Sequence, residues 1–474
     1  MKKAIYTVLA VILMITSCTK DLTKLNVDPK NPSSAPSYAL FTNAQRQLSN
    51  SLTSSNVNNN IFRLIVQHWQ ETQYPEESQY DIGAREINDN MWNALYRDVL
   101  RDLVEAKTLI PNDVKDPAVQ KNQAAIDEIL QVYSFYYLVT TFGDIPYTEA
   151  LDINKPFPKY DDAATVYADL LTRLDAAIAD LDPAAAGFGS ADIIYNGSVP
   201  EWVKFANSFK LKMGMTIADV DPAKARTVVE SAVAAGVFTR NADNALLVYQ
   251  GAPPNTNPIW VDLVQSGRDD FVIASTLAQT MLSLQDPRID NYMTTDQKGG
   301  YSGAPPGEPS AYAQFSHVTD AIKAPAFPTL LLDYAEVELF LAEAAARGFN
   351  VGGTAATHYN AGVTASILYW GGTGAEAAAY LAQPTVSYAS SANFRERIGV
   401  QKWLALYNRG WDAWTEWRRL DYPQIEAPAE ALSATPLRFP YPVNEQNVNR
   451  QNYEAASAAI GEDVVETKLW FDTQ

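Results

Sequence analysis

Residues Ala118–Phe142 read AVQKNQAAIDEILQVYSFYYLVTTF, and this stretch indicates the fold class of the chain. Its apolar side chains recur three and four positions apart, a spacing that places them on one side of an α-helix. They are Ile126, Ile129, Leu130, Tyr133, Tyr137 and Leu138. The stretch therefore predicts a long helix whose apolar side packs against the rest of the protein.

The same periodicity continues along the chain, whereas strand signals are few and short. It predicts further helices over Met91–Leu109, Ala163–Leu181, Pro200–Ala218, Pro222–Ala235, Pro328–Arg347, Ala355–Trp370, Glu376–Ala382 and Asn393–Tyr422, the last one broken near Gly410. Helices paired at offsets of roughly 35–45 residues suggest helix-turn-helix stacking of the tetratricopeptide kind, although the spacing is irregular. The fold class predicted is all-α, a tetratricopeptide-like helical-repeat scaffold with long loop-rich insertions.

The most prominent insertion runs from about residue 240 to about residue 327 and is rich in Gly, Pro, Asp, Asn and Tyr. Loop-rich spans of this length inside a helical body are commonly functional or flexible. We therefore expect the insertion at about 240–327 to contribute a ligand-binding surface.

The N-terminus has the pattern of a bacterial lipoprotein signal. Met1–Lys3 is positively charged, Ala4–Ile15 is apolar but too short to span a bilayer, and Ile15–Cys18 matches the lipobox. Cys18 is the only cysteine in the chain, so no intramolecular disulfide competes for its thiol. The alternative is a plain secreted protein with an incidental cysteine. The predicted organisation is a signal peptide over 1–17, a lipidated tether over 18–37 and a single body over 38–474.

The composition is that of an acidic globular protein. The 36 Lys and Arg residues and 55 Asp and Glu residues give a formal charge of −19, and 47% of the residues are hydrophobic. Such a surface repels phosphate backbones, which argues against nucleic acid as a partner. After residue 18 no long apolar run follows, so we expect the lipid alone to hold the protein on a membrane.

Motifs for catalysis, metals and cofactors are missing from the sequence. The three histidines, His68, His317 and His358, lack metal-ligand spacing, and neither a nucleophile elbow nor a phosphate-binding loop occurs. We therefore predict no cofactor, no metal site and no catalytic residue.

A glycosidase remains the alternative, because it needs only two carboxylates about 5–10 Å apart. The candidate pairs are Asp269 with Asp270, Glu76 with Glu77, Asp161 with Asp162, and Glu336 with Glu343. An acidic chain produces such pairs by chance, so we expect most of them to be solvated or ion-paired.

Aromatic residues in polar surroundings are the best candidates for a binding surface, since flat rings pack on sugar C–H faces while polar side chains bind hydroxyls. Two stretches supply them. The candidate ligand-binding residues are Trp69, Tyr74, Tyr80, Arg85, Asn90 and Trp92 in the first, and Trp260, Arg268, Asp269, Tyr292, Tyr301 and Tyr312 in the loop-rich insertion. For any one of these residues, ordinary packing is the competing interpretation.

One aromatic group is expected in the core instead. Trp403, Tyr407, Trp411 and Trp414 follow the spacing of a single helical stripe. The neighbouring Arg409, Arg418 and Arg419 could reach acidic partners.

Several motifs together resemble the SusD/RagB family of outer-membrane nutrient-binding lipoproteins. They are Thr141–Tyr147 (TFGDIPY), Trp202–Met213, Tyr334–Ala344, Asn408–Leu420 and Phe439–Asn452, and they follow the lipobox in the family's order. Gly410–Trp411 lacks the Glu and Arg that usually flank this position, which suggests a divergent subfamily.

The resemblance implies a lipoprotein on the outer face of the outer membrane, acting as a lid over a SusC-like TonB-dependent transporter. Family members capture glycans, or in some cases peptides, and pass them to the channel without cleaving them. The alternatives are a lipid-anchored all-α glycosidase and a structural helical-repeat adaptor. The sequence does not distinguish a sugar ligand from a peptide ligand.

Overall fold

A computed structural model describes residues 35–473 and shows a helical scaffold. Its α-helices are α1 Ser37–Thr53, α2 Phe62–Ile65, α3 Ile87–Asn93, α4 Arg101–Asp113, α5 Pro117–Phe142, α6 Ala163–Asp180, α7 Val199–Thr216, α8 Pro222–Ala235, α9 Pro258–Trp260, α10 Ser275–Leu284, α11 Ile289–Tyr292, α12 Tyr334–Ala346, α13 Ala355–Tyr369, α14 Gly374–Leu381, α15 Phe394–Ala405, α16 Gly410–Leu420, α17 Val443–Val448 and α18 Arg450–Ala459. Two π-helical segments, Ala94–Leu100 and Val261–Gln265, extend α3 and α9. The all-α prediction is confirmed.

Successive helices pack as pairs, α5 with α6, α7 with α8 and α12 with α13, while α1 packs on α4. Helix α5 lies at the centre, and every residue from Ile129 to Phe142 is buried. The predicted aromatic stripe of Trp403, Tyr407, Trp411 and Trp414 is buried as well, which confirms its role in the core. At Gly410 a Cβ would lie 2.5 Å from the backbone nitrogen of Arg63, so glycine permits the close approach of α16 and α2.

Within residues 35–473, six short strands form three antiparallel pairs. They are β1 Trp69–Glu71, β2 Ile145–Pro146, β3 Tyr160–Asp161, β4 Ala245–Leu247, β5 Phe271–Ile273 and β6 Thr329–Leu332. β1 pairs with β5, β2 with β3, and β4 with β6. The β1–β5 and β4–β6 ladders join segments that are far apart in the sequence, and the first of them shapes the candidate site.

A network of buried ion pairs connects α7, α12, α15 and α16. The Lys212 ammonium contacts Asp412 and lies 3.0 Å from Glu336, whose carboxylate also accepts a 2.7 Å bond from Arg409. Arg419 binds Glu343 and Glu416 at 2.6 Å each, and Lys402 lies 2.8 Å from Glu416. The arginines at positions 409 and 419 thus reach acidic partners as expected, whereas Arg418 donates to backbone carbonyls.

Three predicted helix boundaries are wrong, and one of them is the start expected at Met91, since α3 begins at Ile87. The helix expected from Pro328 starts only at Tyr334, because Thr329–Leu332 pairs with Ala245–Leu247 as a strand. The helix expected to end before Pro111 includes this proline in its last turn and ends at Asp113.

The signal peptide, Cys18 and nearly all of the predicted tether lie outside the described residues. The last tether residue, Ser37, is already the first residue of α1. Within residues 35–473, none of the helices combines the length and the apolar character needed to cross a bilayer.

Candidate functional site

The β1–β5 ladder brings together two loops that are about 200 positions apart in the sequence. Beyond the end of β1, the backbone N–H of Thr72 and that of Gln73 each donate to Asp270 Oδ1 at 2.9 Å. Asp270 is buried and directly precedes β5. Its carboxylate therefore connects the loop after β1 to the loop before β5. This contact positions Tyr74 on one side and Arg268 and Asp269 on the other.

A cleft of about 730 Å³ opens between these loops and is called the polar cleft below. It is lined by Asn56, Val57, Asn58, Gln73, Tyr74, Arg85, Asp262, Ser266, Gly267, Arg268, Asp269 and Asp270. Tyr74 is 60% exposed at its edge, so its ring is available to a ligand. The volume lies within the range of about 300–1,000 Å³ found for small-molecule sites.

A second cleft of about 470 Å³, the amide cleft, adjoins the first, since Asn56 and Asp262 line both. Its other lining residues are Gln47, Asn50, Ser51, Ser54, Asn59, Asn90, Met91, Asn93, Ala94, Arg97, Asp98, Pro254, Thr256, Pro258, Val261 and Trp411. Asn90 donates to the backbone carbonyl of Asn58 at 3.0 Å, which ties α3 to the turn between the two clefts. The clefts therefore form one continuous polar surface.

Buried carboxylates lie behind the polar cleft. Arg268 donates to Glu71 at 3.0 Å and to Asp270 at 2.7 Å, and its guanidinium lies 4.6 Å from the Phe271 ring centroid. Arg85 is ion-paired with the buried Glu77. Arg85 and Arg268 are thus both positioned by buried carboxylates, and both line the polar cleft.

Two of these carboxylates have raised pKa values. Burial, together with the neighbouring Glu77 and Asp270, raises the pKa of Glu71 to about 9, and the Arg268 charge does not compensate. Burial also raises the pKa of Glu77 despite its contact with Arg85. When Glu71 is protonated it does not neutralise Arg268, so the positive charge of Arg268 interacts mainly with Asp270 and with groups in the cleft.

The clefts can bind a polar ligand without performing chemistry on it. Amide and hydroxyl side chains both donate and accept hydrogen bonds, and guanidinium groups add fixed donors. Tyr74 supplies an exposed ring for an apolar face. This combination suits a ligand rich in hydroxyl or amide groups.

Five of the predicted site residues are found in this surface. Tyr74, Arg85, Arg268 and Asp269 line the polar cleft, and Asn90 lines the amide cleft. The structure therefore brings together residues that the sequence presents in two distant stretches.

Four of the predicted site residues lie in the core instead, and their expected surface role is corrected. Trp69 donates to the Tyr407 hydroxyl at 3.1 Å, and Tyr292 stacks on Tyr407 with ring centroids 4.1 Å apart. Tyr80 and Trp92 are also buried in the main apolar cluster. Their rings are covered because helices and strands from other parts of the chain pack over them, which the local polar sequence does not reveal.

The remaining three predicted residues are half-buried and do not line the two clefts. Trp260 ends α9, directly before the π-helical segment that carries Asp262. Tyr312 stacks on His317 with centroids 4.1 Å apart, and Asp269 is close enough to add to the effect of burial in raising the pKa of Tyr312. Tyr301 donates to Asp290.

Sequence reasoning missed the asparagines. Asn50, Asn56, Asn58, Asn59 and Asn93 all face the clefts. The run Asn56–Asn60 (NVNNN) was the available signal, because so many amides in one turn are unusual for a purely structural loop.

Each candidate carboxylate pair contains at least one member with another partner, since Asp270 binds Arg268 and Glu77 binds Arg85. Glu336 and Glu343 belong to the buried ion network, and Asp161 contacts Lys159 and the hydroxyl of Thr148. Within residues 35–473, His, Cys, Asp and Glu side chains do not gather in groups of three or more that could hold a metal ion.

Comparison with known proteins identifies similar structures. A chitin-binding protein is 25% identical with a TM-score of 0.81, over 92% of this chain and 100% of that chain. A chitin-binding SusD homologue from Flavobacterium johnsoniae is 26% identical with a TM-score of 0.79, over 92% and 98% of the two chains. A SusD homologue from Bacteroides uniformis is 28% identical with a TM-score of 0.80, over 92% and 100%.

No curated protein matches the chain. A family model does, and it covers residues 29–442 under the description SusD-like, starch-binding associating with outer membrane. This span includes the described helical body up to Pro442, together with both clefts. The chain therefore belongs to the SusD-like family.

Proposed function

We propose that this protein binds a glycan in the joined polar and amide clefts and delivers it to a SusC-like TonB-dependent transporter. The observation that carries the proposal is the continuity of the two clefts through Asn56 and Asp262. An extended surface of amides, hydroxyls and guanidinium groups, with an exposed ring at its edge, suits a hydroxyl-rich oligomer. The similarity to two chitin-binding proteins favours an oligosaccharide over a peptide.

Binding, not hydrolysis, is the proposed activity. Asp270 is buried and bonded to two backbone N–H groups and to Arg268. Both oxygens of this carboxylate are therefore already occupied by protein donors, and it is not free to reach the linkage of a bound sugar. Release of unchanged ligand is therefore expected.

The proposed location is the outer face of the outer membrane, through a lipid on Cys18. Two or more acyl chains provide stable anchoring, because each buried CH₂ contributes about 0.8 kcal/mol. Cys18→Ala is expected to abolish incorporation of labelled palmitate and to release the protein from membranes. Persistence of the labelled, membrane-bound form would contradict the anchor while leaving the binding proposal intact.

Calorimetric titration with chitin and starch oligosaccharides tests the binding proposal. Tyr74→Ala is expected to weaken binding by about three- to tenfold, because it removes an aromatic contact. The matched control is Tyr38→Ala, a tyrosine that is 56% exposed and lines neither cleft. Equal binding by both variants would exclude the polar cleft as the site. Binding of oligopeptides with no binding of oligosaccharides would favour the peptide alternative.

A further inference from the structure

A third cleft, of about 490 Å³, shares no lining residue with the two above. Its walls come from the segment after α7, the first turn of α8, the end of α12 and the first turn of α15. It is lined by Ala218, Pro222, Ala223, Arg226, Arg347, Phe349, Phe394 and Arg395, and is called the arginine cleft. Its charged lining residues are all arginines, in a chain with 55 acidic against 36 basic residues.

An internal carboxylate shows what these arginines are arranged to bind. The two terminal nitrogens of Arg347 lie 2.8 and 3.2 Å from the two oxygens of Asp219, which is a bidentate contact. Arg395 donates to the same carboxylate at 2.6 Å. Planar guanidinium groups match planar carboxylates in this way, whereas a lysine would act only as a point charge.

The guanidinium groups are also held in place by rings. Those of Arg347 and Arg395 lie 5.4 and 5.7 Å from the Phe394 centroid, and that of Arg226 lies 5.0 Å from Phe349. Arg226 donates to the Gly348 carbonyl at 2.9 Å. Because stacking fixes the orientation of an arginine, less side-chain entropy is lost when it binds a ligand.

The arginines of this cleft are not fully neutralised. Asp219 is shared by Arg347 and Arg395, and Arg226 has only a long contact of 3.8 Å with Glu230. Glu343, the other carboxylate near Arg347, is also bound by Arg419. Among the residues that the structure describes, Arg226 therefore lacks a close carboxylate partner, and its guanidinium remains available to an anion that enters the cleft.

We propose that the arginine cleft binds a carboxylate carried on a ring, either an aromatic acid or a uronic acid sugar. The carboxylate would take donors of Arg226 and Arg395, and the ring would lie on the stacked guanidinium faces. A volume of about 490 Å³ accommodates a ligand of this size. This site is independent of glycan binding in the polar and amide clefts.

Fluorine NMR titration of the full chain with 4-fluorobenzoate tests the proposal, with 4-fluorobenzamide as the uncharged probe. We expect 4-fluorobenzoate to bind and 4-fluorobenzamide to bind at least about tenfold more weakly. Arg226→Gln is expected to weaken 4-fluorobenzoate binding about tenfold, since one charge-assisted contact is lost. The variant is expected to fold, because the Arg226 side chain is 49% exposed.

The matched control is Arg240→Gln, whose side chain is 72% exposed and does not line the cleft. It is expected to bind 4-fluorobenzoate as the original chain does. Equal binding of the acid and the amide, or equal binding by the two variants, would overturn the proposal. Competition experiments distinguish the two kinds of ligand. If galacturonate displaces 4-fluorobenzoate at a lower concentration than benzoate does, the ligand is assigned as a uronic acid. If galacturonate displaces it only at a higher concentration, the ligand is assigned as an aromatic acid.

Discussion

Two groups of buried carboxylates in this protein behave in opposite ways. In the ion network of α7, α12, α15 and α16, burial alone would raise the pKa of Asp412, but Arg409 and Lys212 hold it below its ordinary value. Arg419 has the same effect on Glu343 and Glu416. Behind the polar cleft, burial and neighbouring acids raise the pKa of Glu71 to about 9.

The difference follows from the number of cations within reach. Asp412, Glu336, Glu343 and Glu416 each contact two cationic side chains. Within residues 35–473, Glu71 contacts only Arg268, which it shares with Asp270. Paired charges in the core can hold helices in one arrangement, although an apolar replacement of the whole set could be as stable. The incompletely paired carboxylates lie where a ligand can approach, as is typical of functional sites.

Removing one network carboxylate is expected to have the largest effect. Asp412→Ala leaves Lys212 and Arg409 buried with too few partners, which should lower the free energy of unfolding by about 3–5 kcal/mol. Urea unfolding followed by circular dichroism measures the change. Glu454→Ala, which removes an exposed pair with Arg450, is the control and should change it by less than about 1 kcal/mol. A loss for Asp412→Ala as small as that of the control would show that the network adds little to stability.

Two aromatic residues five positions apart should separate stability from binding. Trp69→Ala removes a fully buried ring and should lower the free energy of unfolding by about 3–5 kcal/mol. Tyr74→Ala should change it by no more than about 0.5 kcal/mol, because its ring is exposed. The same urea experiment measures both variants. A strongly destabilised Tyr74→Ala would mean that this ring belongs to the core and not to the cleft.

The two groups of carboxylates should also differ in the pH dependence of stability. Between pH 4.5, the ordinary pKa, and about 9, folded Glu71 holds a proton that the unfolded chain has released. Raising the pH over this range therefore favours unfolding, with a slope of up to about 1.4 kcal/mol per pH unit from this group. Glu71→Gln should flatten the slope and stabilise the protein at alkaline pH. An unchanged slope in urea unfolding from pH 5 to 9 would show that Glu71 is ionised in the folded protein.

The network carboxylates should act at the opposite end of the pH range. The pKa values of Asp412, Glu343 and Glu416 are lower in the folded protein than in the unfolded chain, so their contribution is present above pH 4.5 and is lost as the pH falls further. Glu343→Gln leaves Arg419 with one carboxylate partner fewer, so the variant should be less stable than the original chain at neutral pH. Its free energy of unfolding should also fall less on acidification, because the carboxylate that would be protonated is gone. This result would show that the ion network makes stability sensitive to acid, whereas Glu71 behind the polar cleft makes it sensitive to alkali.

The helices were predictable because their information is local. The pattern in Ala118–Phe142 and Pro222–Ala235 corresponds to observed helices within one residue at each end. The break near Gly410 was also predicted, since glycine there interrupts a run that is otherwise helical. The strand Thr329–Leu332 was not, because its partner lies about 80 positions away in Ala245–Leu247.

The candidate site was predictable only in part. Polar residues beside aromatic ones marked both stretches that form the polar cleft, and Tyr74 and Arg268 do face it. The same local pattern surrounds Trp69, which is buried. Sequence alone could not separate the two, because burial depends on which distant segments pack over a ring.

By itself, the sequence determined the helical scaffold, the acidic surface and the family motifs, since periodicity and composition act over a few residues at a time. Only the tertiary structure decided that Tyr74 and Arg268 line one cleft, that Trp69 is covered, and that three arginines from separate segments line another cleft. Such proximities arise from long-range packing, and they set burial and pKa because both depend on every neighbouring segment.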